Sequence, residues 1–247
     1  MKAEEVKPYD EADAKGRQVE AMFDNIAPAY DFMNTAMTFG MHRRWLRKAL
    51  AEMQTAVRGD SSKSILDLAT GTGDVAFKLA EMFPDARITG VDLSEGMLAV
   101  ARKKKEEHPE GSRIVFQQGD CLALPFSDAC FDLLSIAYGV RNFEDLKKGL
   151  LEFHRVLSPG GVCMILELSR PENRFVRPFY DLYSRTLIPL IGRMVSKDSR
   201  AYSYLPESIA AMPPRSAVEG MLREAGFKKV ESKTLTLGVV TIYIASK

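Results

Sequence analysis

The spacing of apolar residues divides the chain into a helical first part and a second part in which strands and helices alternate. Between residues 15 and 55, apolar positions recur three or four residues apart, which predicts helices interrupted at Pro28. Residues 1–14 are polar and are predicted to be a flexible terminus. We expect the helical segment 15–55 to form a lid over the remainder of the chain.

From Ser64 onward, short apolar runs alternate with helical patterns. The predicted strands are Ser64–Ala69, Arg87–Leu93, Arg113–Gln117, Cys130–Ala137 and Val162–Leu168, and the predicted helices are Asp74–Phe83, Glu95–Glu107 and Leu146–Leu157. This alternation predicts an α/β fold with a parallel, doubly wound, Rossmann-like sheet in a single domain over residues 15–247.

Two later segments depart from this rhythm. Residues 171–214 are rich in Arg, Pro and aromatic residues and are predicted to be a helical insertion. After a helix at Ser216–Ala225, two β-rich stretches at Lys228–Leu235 and Val239–Ala245 predict an antiparallel hairpin at the sheet edge.

The composition excludes several classes of protein. Hydrophobic residues make up 46% of the chain, too many for a disordered protein, and a net charge of +1 gives no global attraction for nucleic acid. Cys121, Cys130 and Cys163 show no paired spacing, which predicts buried, reduced thiols in a reducing, cytoplasmic compartment. No apolar run approaches the ~20 residues of a membrane span, and we see no signal peptide.

A glycine-rich turn lies where the first predicted strand of the sheet meets its helix. Gly71 and Gly73 flank Thr72, and such a turn lets a ligand approach the backbone closely. Asp92 ends the next strand about 20 residues on, where an acidic side chain can bind ribose hydroxyls. These residues alone fit NAD as well as S-adenosylmethionine.

Further carboxylates favour S-adenosylmethionine, whose sulfonium is a cation. Asp74 lies in the first helical turn, where it would repel a pyrophosphate. Asp67 lies inside the first strand and Asp120 follows the third, so both are expected at the same sheet edge. A helix N-terminal charge explains Asp74 alone, and a loop position explains Asp120 alone. Together the carboxylates predict an electronegative pocket for a cationic donor.

Motifs on both sides of the glycine turn point to one family. They are Phe23–Ala27, Tyr30–Asn34, Gly40–Trp45, Asp67–Asp74, Tyr138–Asn142, Glu152–Gly161, Tyr202–Ile209 and Leu235–Val240. In these motifs the chain resembles the ubiquinone/menaquinone biosynthesis C-methyltransferase family, from about Val19 to the C-terminus. The resemblance implies a class I S-adenosylmethionine-dependent methyltransferase in which Thr72, Asp92, Asp120 and Cys121 bind the donor. Some relatives carry Ser where this chain has Ala137, so that hydroxyl contact is missing or replaced.

The resemblance also implies the acceptor, a polyprenyl quinol that is methylated at a ring carbon, with demethylmenaquinol preferred. Arg141 would stabilise the developing phenolate and Asn142 would orient a hydroxyl, unless Arg141 only forms a salt bridge. Tyr30, Asp31 and Asn34 would come from the lid, although lid packing alone also explains Tyr30. The general base is open between Asp31, His42 and a water held by Arg141. No metal is required, and the three histidines are too scattered to suggest a metal site.

Basic and aromatic residues interleave between Arg174 and Lys197, which suits an anionic membrane surface. We expect this segment to dock on the inner membrane face and to admit the prenyl tail. An ordinary cap with solvated arginines is the alternative.

Three other functions stay open. They are methylation of a ubiquinone-pathway benzoquinol or another small phenol, an NAD-dependent oxidoreductase, and a non-catalytic donor-binding protein. The oligomeric state is open as well, including a homodimer.

Overall fold

The computed structural model describes residues 5–10, 12–57, 64–184, 186 and 199–247. Seven strands form one sheet: β1 Ser64–Leu68, β2 Arg87–Asp92, β3 Ile114–Gln118, β4 Phe131–Ala137, β5 Leu157–Leu168, β6 Lys229–Leu235 and β7 Val240–Ser246. Their order across the sheet is β3-β2-β1-β4-β5-β7-β6. Strands β1 to β5 are parallel, whereas β7 is antiparallel to β5 and to β6. The predicted doubly wound sheet with a C-terminal hairpin is confirmed.

The helices are α1 Lys15–Ile26, α2 Tyr30–Thr38, α3 Met41–Ala56, α4 Asp74–Met82, α5 Glu95–Glu107, α6 Leu146–Val156, α7 at 177–184, α8 Ser199–Ala211 and α9 Arg215–Glu224. A short 3-10 turn at Ala27–Ala29 separates α1 from α2. Pro28 lies in that turn, and a proline has no N–H to continue a helical ladder. Gly40, with φ +73°, begins α3.

Alternate residues of the strands pack into two different hydrophobic clusters. Ile65 belongs to the cluster with α3 and α4, whereas its neighbour Leu66 belongs to the cluster with α6 and α9. A third cluster joins α1 and α2 to Met97 of α5 and to Tyr204 of α8. The N-terminal helices are therefore held by α5 and α8, next to the carboxyl ends of the parallel strands.

The structure differs from the sequence-based predictions at the start of two strands. Strand β5 begins at Leu157 rather than at the predicted Val162, and so includes residues Ser158–Gly161. The pairing jumps from Phe131–Leu157 to Leu133–Val162, so the extra residues form a bulge. The prediction that all three cysteines are buried is wrong for Cys130, which is exposed because it lies in the loop before β4.

Much of the predicted insertion lies outside the described residues. This applies to Arg185, Leu187, Ile188, Leu190, Ile191, Arg193 and Lys197. Within the residues that the structure describes, no helix is both long and apolar enough to cross a membrane.

We predict that Gly90→Ala destabilises the sheet through steric overlap. A Cβ at Gly90, in the middle of β2, would lie 2.6 Å from Cδ1 of Phe116 and 2.9 Å from Oγ1 of Thr70. Such overpacking should lower the free energy of unfolding by about 1–3 kcal/mol, measured by urea denaturation.

Gly220→Ala is the matched control, because nothing lies within 4 Å of a Cβ at this position in α9. It should raise the stability by about 0.5–1 kcal/mol, since alanine is the better helix former. Equal stabilities for the two variants would contradict the packing described at Gly90.

Candidate functional site

A cavity of about 300 Å³ lies at the carboxyl ends of the central parallel strands, beside α1. We call it the sheet-edge cavity. Four of the seven predicted donor-binding residues line it, namely Gly71, Asp92, Asp120 and Cys121. Tyr30 and Asn142, which were predicted to be catalytic, line it as well. Parallel strands end at one edge, so residues distant in sequence meet there.

The backbone holds the Asp92 carboxylate at the wall of this cavity. Gly71, with φ +56°, donates its N–H to Oδ2 of Asp92 at 2.8 Å, and the Ser94 N–H donates to Oδ1 at 2.9 Å. Burial raises the pKa of Asp92 to about 6, and these backbone hydrogen bonds limit the rise. Asp92 is therefore an ionised, rigidly placed acceptor for ligand hydroxyls near neutral pH.

Thr72 and Gly73 do not line the cavity. The Thr72 hydroxyl donates to Oδ1 of Asp31 at 2.6 Å. Gly73 has φ +88°, and a Cβ there would lie 2.9 Å from the rings of Phe77 and Phe116. These two residues shape the turn and attach α2 to it rather than forming the cavity wall.

Asp67 also lies behind the cavity wall. It is fully buried, and its two oxygens accept hydrogen bonds from the hydroxyls of Thr70 and Ser135, both at 2.6 Å. Burial raises its pKa to about 7. Asp74, the other carboxylate of this turn, is mostly exposed and pairs with Lys104 at 2.8 Å. The predicted electronegative pocket thus has only Asp92 and Asp120 of this set in its wall.

A second cavity, of about 400 Å³, lies under α1, α2, α7 and α8. We call it the apolar cavity, because most of its lining side chains are Met, Phe, Tyr, Leu, Ile and Val. The polar residues predicted to be catalytic that line it are Asn34, His42 and Arg141. Phe23, Tyr30 and Tyr138 line both cavities and form the wall between them.

Arg141 forms the salt bridge that the sequence left open, and it also lines the apolar cavity. It is 6% exposed, and its Nη1 donates to Oε1 of Glu167 at 2.9 Å and to the backbone carbonyl of Tyr138. The Arg141 backbone N–H donates to Oε2 of the same carboxylate at 3.2 Å. Nε of Arg141 has no partner among the described residues. The salt bridge therefore fixes the guanidinium and leaves its buried Nε–H without a partner among the described residues.

Asn142 follows Arg141 but lines the other cavity. Its side-chain oxygen accepts a hydrogen bond from the hydroxyl of Tyr204 at 3.1 Å. Tyr204 is 2% exposed and belongs to α8, so the helix that covers the apolar cavity sets the orientation of an amide at the sheet-edge cavity.

Asp31 is poorly placed to act as a general base. Its Oδ1 accepts from Thr72, its Oδ2 pairs with Lys104 at 2.6 Å, and it lines neither cavity. Its neighbour Tyr30 does line both, and burial raises the pKa of its phenol.

His42 is better placed for proton transfer. The Thr38 hydroxyl donates its one hydrogen to the Asn34 carbonyl at 2.6 Å and lies 2.8 Å from Nδ1 of His42. Nδ1 must then carry the proton in that contact, which leaves Nε2 unprotonated. Burial and the nearby Arg43 lower the pKa of His42, so the imidazole is neutral near pH 7.

Three residues of this network were not singled out from the sequence. Glu167 is an acid within the apolar run of β5, which is a detectable signal for a buried partner. Tyr204 lies in a motif that was recognised but given no role. Lys104, which pairs with Asp31 and Asp74, is one of three consecutive lysines, and nothing in the sequence marks it.

The fold is shared with solved methyltransferases at low sequence identity. A phosphoethanolamine N-methyltransferase 2 of Haemonchus contortus, solved in complex with S-adenosyl-L-methionine, has a TM-score of 0.62 and 17% identity, covering 81% of this chain and 52% of that one. The [4+2]-cyclase SpnF has a TM-score of 0.68 and 16% identity, covering 94% and 96%. Since a cyclase shares the fold, these likenesses show the architecture alone.

Closer relatives match over nearly the whole length. The demethylmenaquinone methyltransferase of Bacteroides fragilis is 41% identical over 244 residues, which is 99% of this chain and 98% of the relative. That of Porphyromonas gingivalis is 42% identical with the same coverage, and a ubiquinone/menaquinone biosynthesis C-methyltransferase of Geobacter sulfurreducens is 40% identical over 94% of this chain and 90% of the relative. The profile of the ubiE/COQ5 methyltransferase family matches residues 11–247, and the chain belongs to that family.

Proposed function

We propose that this protein transfers the methyl group of S-adenosylmethionine to a ring carbon of a prenylated quinol, with demethylmenaquinol as the physiological acceptor. The observation that carries the proposal is the pair of adjoining cavities, one at the sheet edge and one apolar, which share Phe23, Tyr30 and Tyr138. The full-length relatives named demethylmenaquinone methyltransferase supply the acceptor.

The sheet-edge cavity suits the donor. S-adenosylmethionine supplies an electrophilic methyl on a cationic sulfur and carries no phosphate. Asp92 would accept hydrogen bonds from its ribose hydroxyls, and Gly71 lets the ligand approach the backbone. Asp120 is exposed at the cavity wall beside the buried Cys121, where a carboxylate and a thiol can contact the base.

The apolar cavity suits a quinol ring with its prenyl tail. A ring carbon is nucleophilic only when the ring is reduced and a hydroxyl is losing its proton. His42 would take that proton at Nε2, and Arg141 would stabilise the phenolate that forms. Asn142, oriented by Tyr204, would hold the reacting groups in place at the sheet-edge side. Helices α1 and α2 would act as the lid that excludes water, with Tyr30 and Asn34 both contributed by α2.

A benzoquinol acceptor is the second candidate, favoured by the Geobacter relative whose name covers both quinone pathways. The apolar cavity does not distinguish a one-ring from a two-ring acceptor by its lining residues alone. An assay of methyl transfer must therefore compare both acceptors.

We also propose that the mouth of the apolar cavity docks on an anionic, cytoplasmic membrane surface. Phe39, Phe179 and Leu237 line the cavity and yet are 72%, 76% and 75% exposed. Arg174, whose guanidinium lies 5.6 Å from the centre of the exposed Phe175 ring, precedes Phe179 by five positions in the sequence. Exposed aromatic and basic side chains at the edge of an apolar cavity favour insertion among lipid headgroups.

The proposed function predicts labelled methyl transfer from S-adenosylmethionine to reduced demethylmenaquinol analogues and none to the oxidised quinone. A benzoquinol analogue tests the second candidate.

Arg141→Lys keeps a cation beside Glu167 but removes the Nε donor, so we expect kcat to fall about 100-fold with unchanged affinity for S-adenosylhomocysteine. Wild-type turnover in Arg141→Lys would contradict the phenolate role.

Proton transfer to His42 predicts a characteristic pH profile of kcat. Because burial lowers the pKa of His42, the base is neutral above about pH 6.5 and is lost as the pH falls through that lowered value. The rate should therefore be flat near neutral pH and fall in acid. His42→Asn should lower kcat and abolish this acidic limb. An unchanged limb in the variant would assign the titration to another group.

Membrane docking predicts flotation of the protein with anionic vesicles and little flotation with neutral ones. The double variant Phe39→Ser, Phe179→Ser should lose most of this binding, since both side chains are exposed at the cavity mouth. Leu151→Ser is the control, because Leu151 is 54% exposed on α6 and lines neither cavity. Equal flotation of the two variants would place the docking surface elsewhere.

A further inference from the structure

The hydroxyl of Tyr138 is a buried polar group without a partner. Among the described residues, only two buried side-chain nitrogen or oxygen atoms lack a hydrogen bond, Oη of Tyr138 and Nε of Arg141. An unpartnered buried donor costs about 1–3 kcal/mol, so such groups are rarely retained without a use. Both atoms belong to residues that line the apolar cavity.

The backbone of Tyr138 is held in an unfavourable conformation. Its φ is +58°, in the left-handed region that a side chain with a Cβ disfavours. The Tyr138 N–H donates to the Leu166 carbonyl at 2.7 Å, and the Tyr138 carbonyl accepts from Nη1 of Arg141. The turn at the end of β4 thus holds the Tyr138 ring between the two cavities. The backbone carbonyl of Tyr138 links this turn to the Arg141 guanidinium.

The two buried groups without a partner both act as hydrogen-bond donors. Burial raises the pKa of the Tyr138 phenol far above its ordinary value, so the hydroxyl keeps its proton, and Nε of Arg141 is always a donor. Both groups donate hydrogen bonds at neutral pH, and both are buried away from water. Such a pair of donors is suited to an oxygen that carries negative charge. In quinol methylation the ring oxygen is that atom.

We propose that the Tyr138 hydroxyl binds the acceptor, donating a hydrogen bond, together with Nε of Arg141, to the ring oxygen that becomes anionic when the quinol loses its proton. This inference rests on the proposed function. The phenolic proton leaves to the base, the ring π electrons form the new C–C bond, and the C–S bond breaks with its electron pair on sulfur. Loss of the proton on the methylated carbon, with reprotonation of the oxygen, restores the quinol, and one proton is released overall.

Tyr138→Phe tests the contact, because it removes a single oxygen and retains the ring. Tyr243→Phe is the matched control, since Tyr243 is a 3% exposed tyrosine of β7 that lines neither cavity. Three quantities are measured for both variants and for the wild type: kcat with a reduced demethylmenaquinol analogue, the Kd of S-adenosylhomocysteine, and the pKa of bound 1-naphthol from its absorbance.

We expect Tyr138→Phe to lower kcat about 10- to 100-fold and to raise the pKa of bound 1-naphthol by about one unit, with the Kd of S-adenosylhomocysteine unchanged. The naphthol pKa reports the stabilised oxyanion directly, and a purely structural role of Tyr138 would not move it. Wild-type kcat and naphthol pKa in Tyr138→Phe would overturn this inference alone. Failure of the wild-type protein to methylate any quinol would instead overturn the proposed function.

Discussion

The wall of the apolar cavity depends on one buried ion pair, between Arg141 and Glu167. A guanidinium that is 6% exposed is stable only beside a partner, and Glu167, at 1% exposed, is itself held by the backbone N–H groups of Arg141 and Leu168. Removing either charge from such a pair costs about 3–5 kcal/mol. Because Nη1 is used by Glu167 and by the Tyr138 carbonyl, the pair also orients the guanidinium and leaves Nε for a ligand. The same ion pair therefore stabilises the buried charges and orients the guanidinium.

The two cavities are built in different ways. The sheet-edge cavity takes its shape from the backbone, since Gly71 and Ser94 fix Asp92 through their N–H groups. The apolar cavity takes its shape from helix packing, in the cluster that joins α1 and α2 to α8. Tyr204 links the two, because it lines the apolar cavity and binds Asn142 of the other. Movement of α8 would thus change both halves of the site.

The carboxylates near the glycine turn illustrate how context decides the use of a charge. Asp67 lies inside β1 and Asp92 ends β2, and burial raises the pKa of each. Two hydroxyls occupy the oxygens of Asp67, whereas Asp92 reaches the cavity wall. Lys104 pairs with both Asp31 and Asp74 and so ties the lid helix α2 to the turn. Of the acids clustered in the sequence, Asp92 and Asp120 therefore line the cavity, whereas Asp31, Asp67 and Asp74 hold the surrounding structure together.

The sequence by itself determined the elements and the family. The spacing of apolar residues and the positions of glycines are local features of the chain, so the predicted strands and helices end within a few residues of the observed ones. The motifs around Gly71 and Arg141 indicate a methyltransferase. Only the tertiary structure decided which of the predicted residues line a cavity. Arg141 and Glu167 lie 26 positions apart and Tyr204 and Asn142 lie 62 apart, and no local pattern encodes such partners. The same holds for Asp31, whose pairing with Thr72 and Lys104 leaves His42 as the better base. Hydrogen-bond partners and burial are properties of the folded chain.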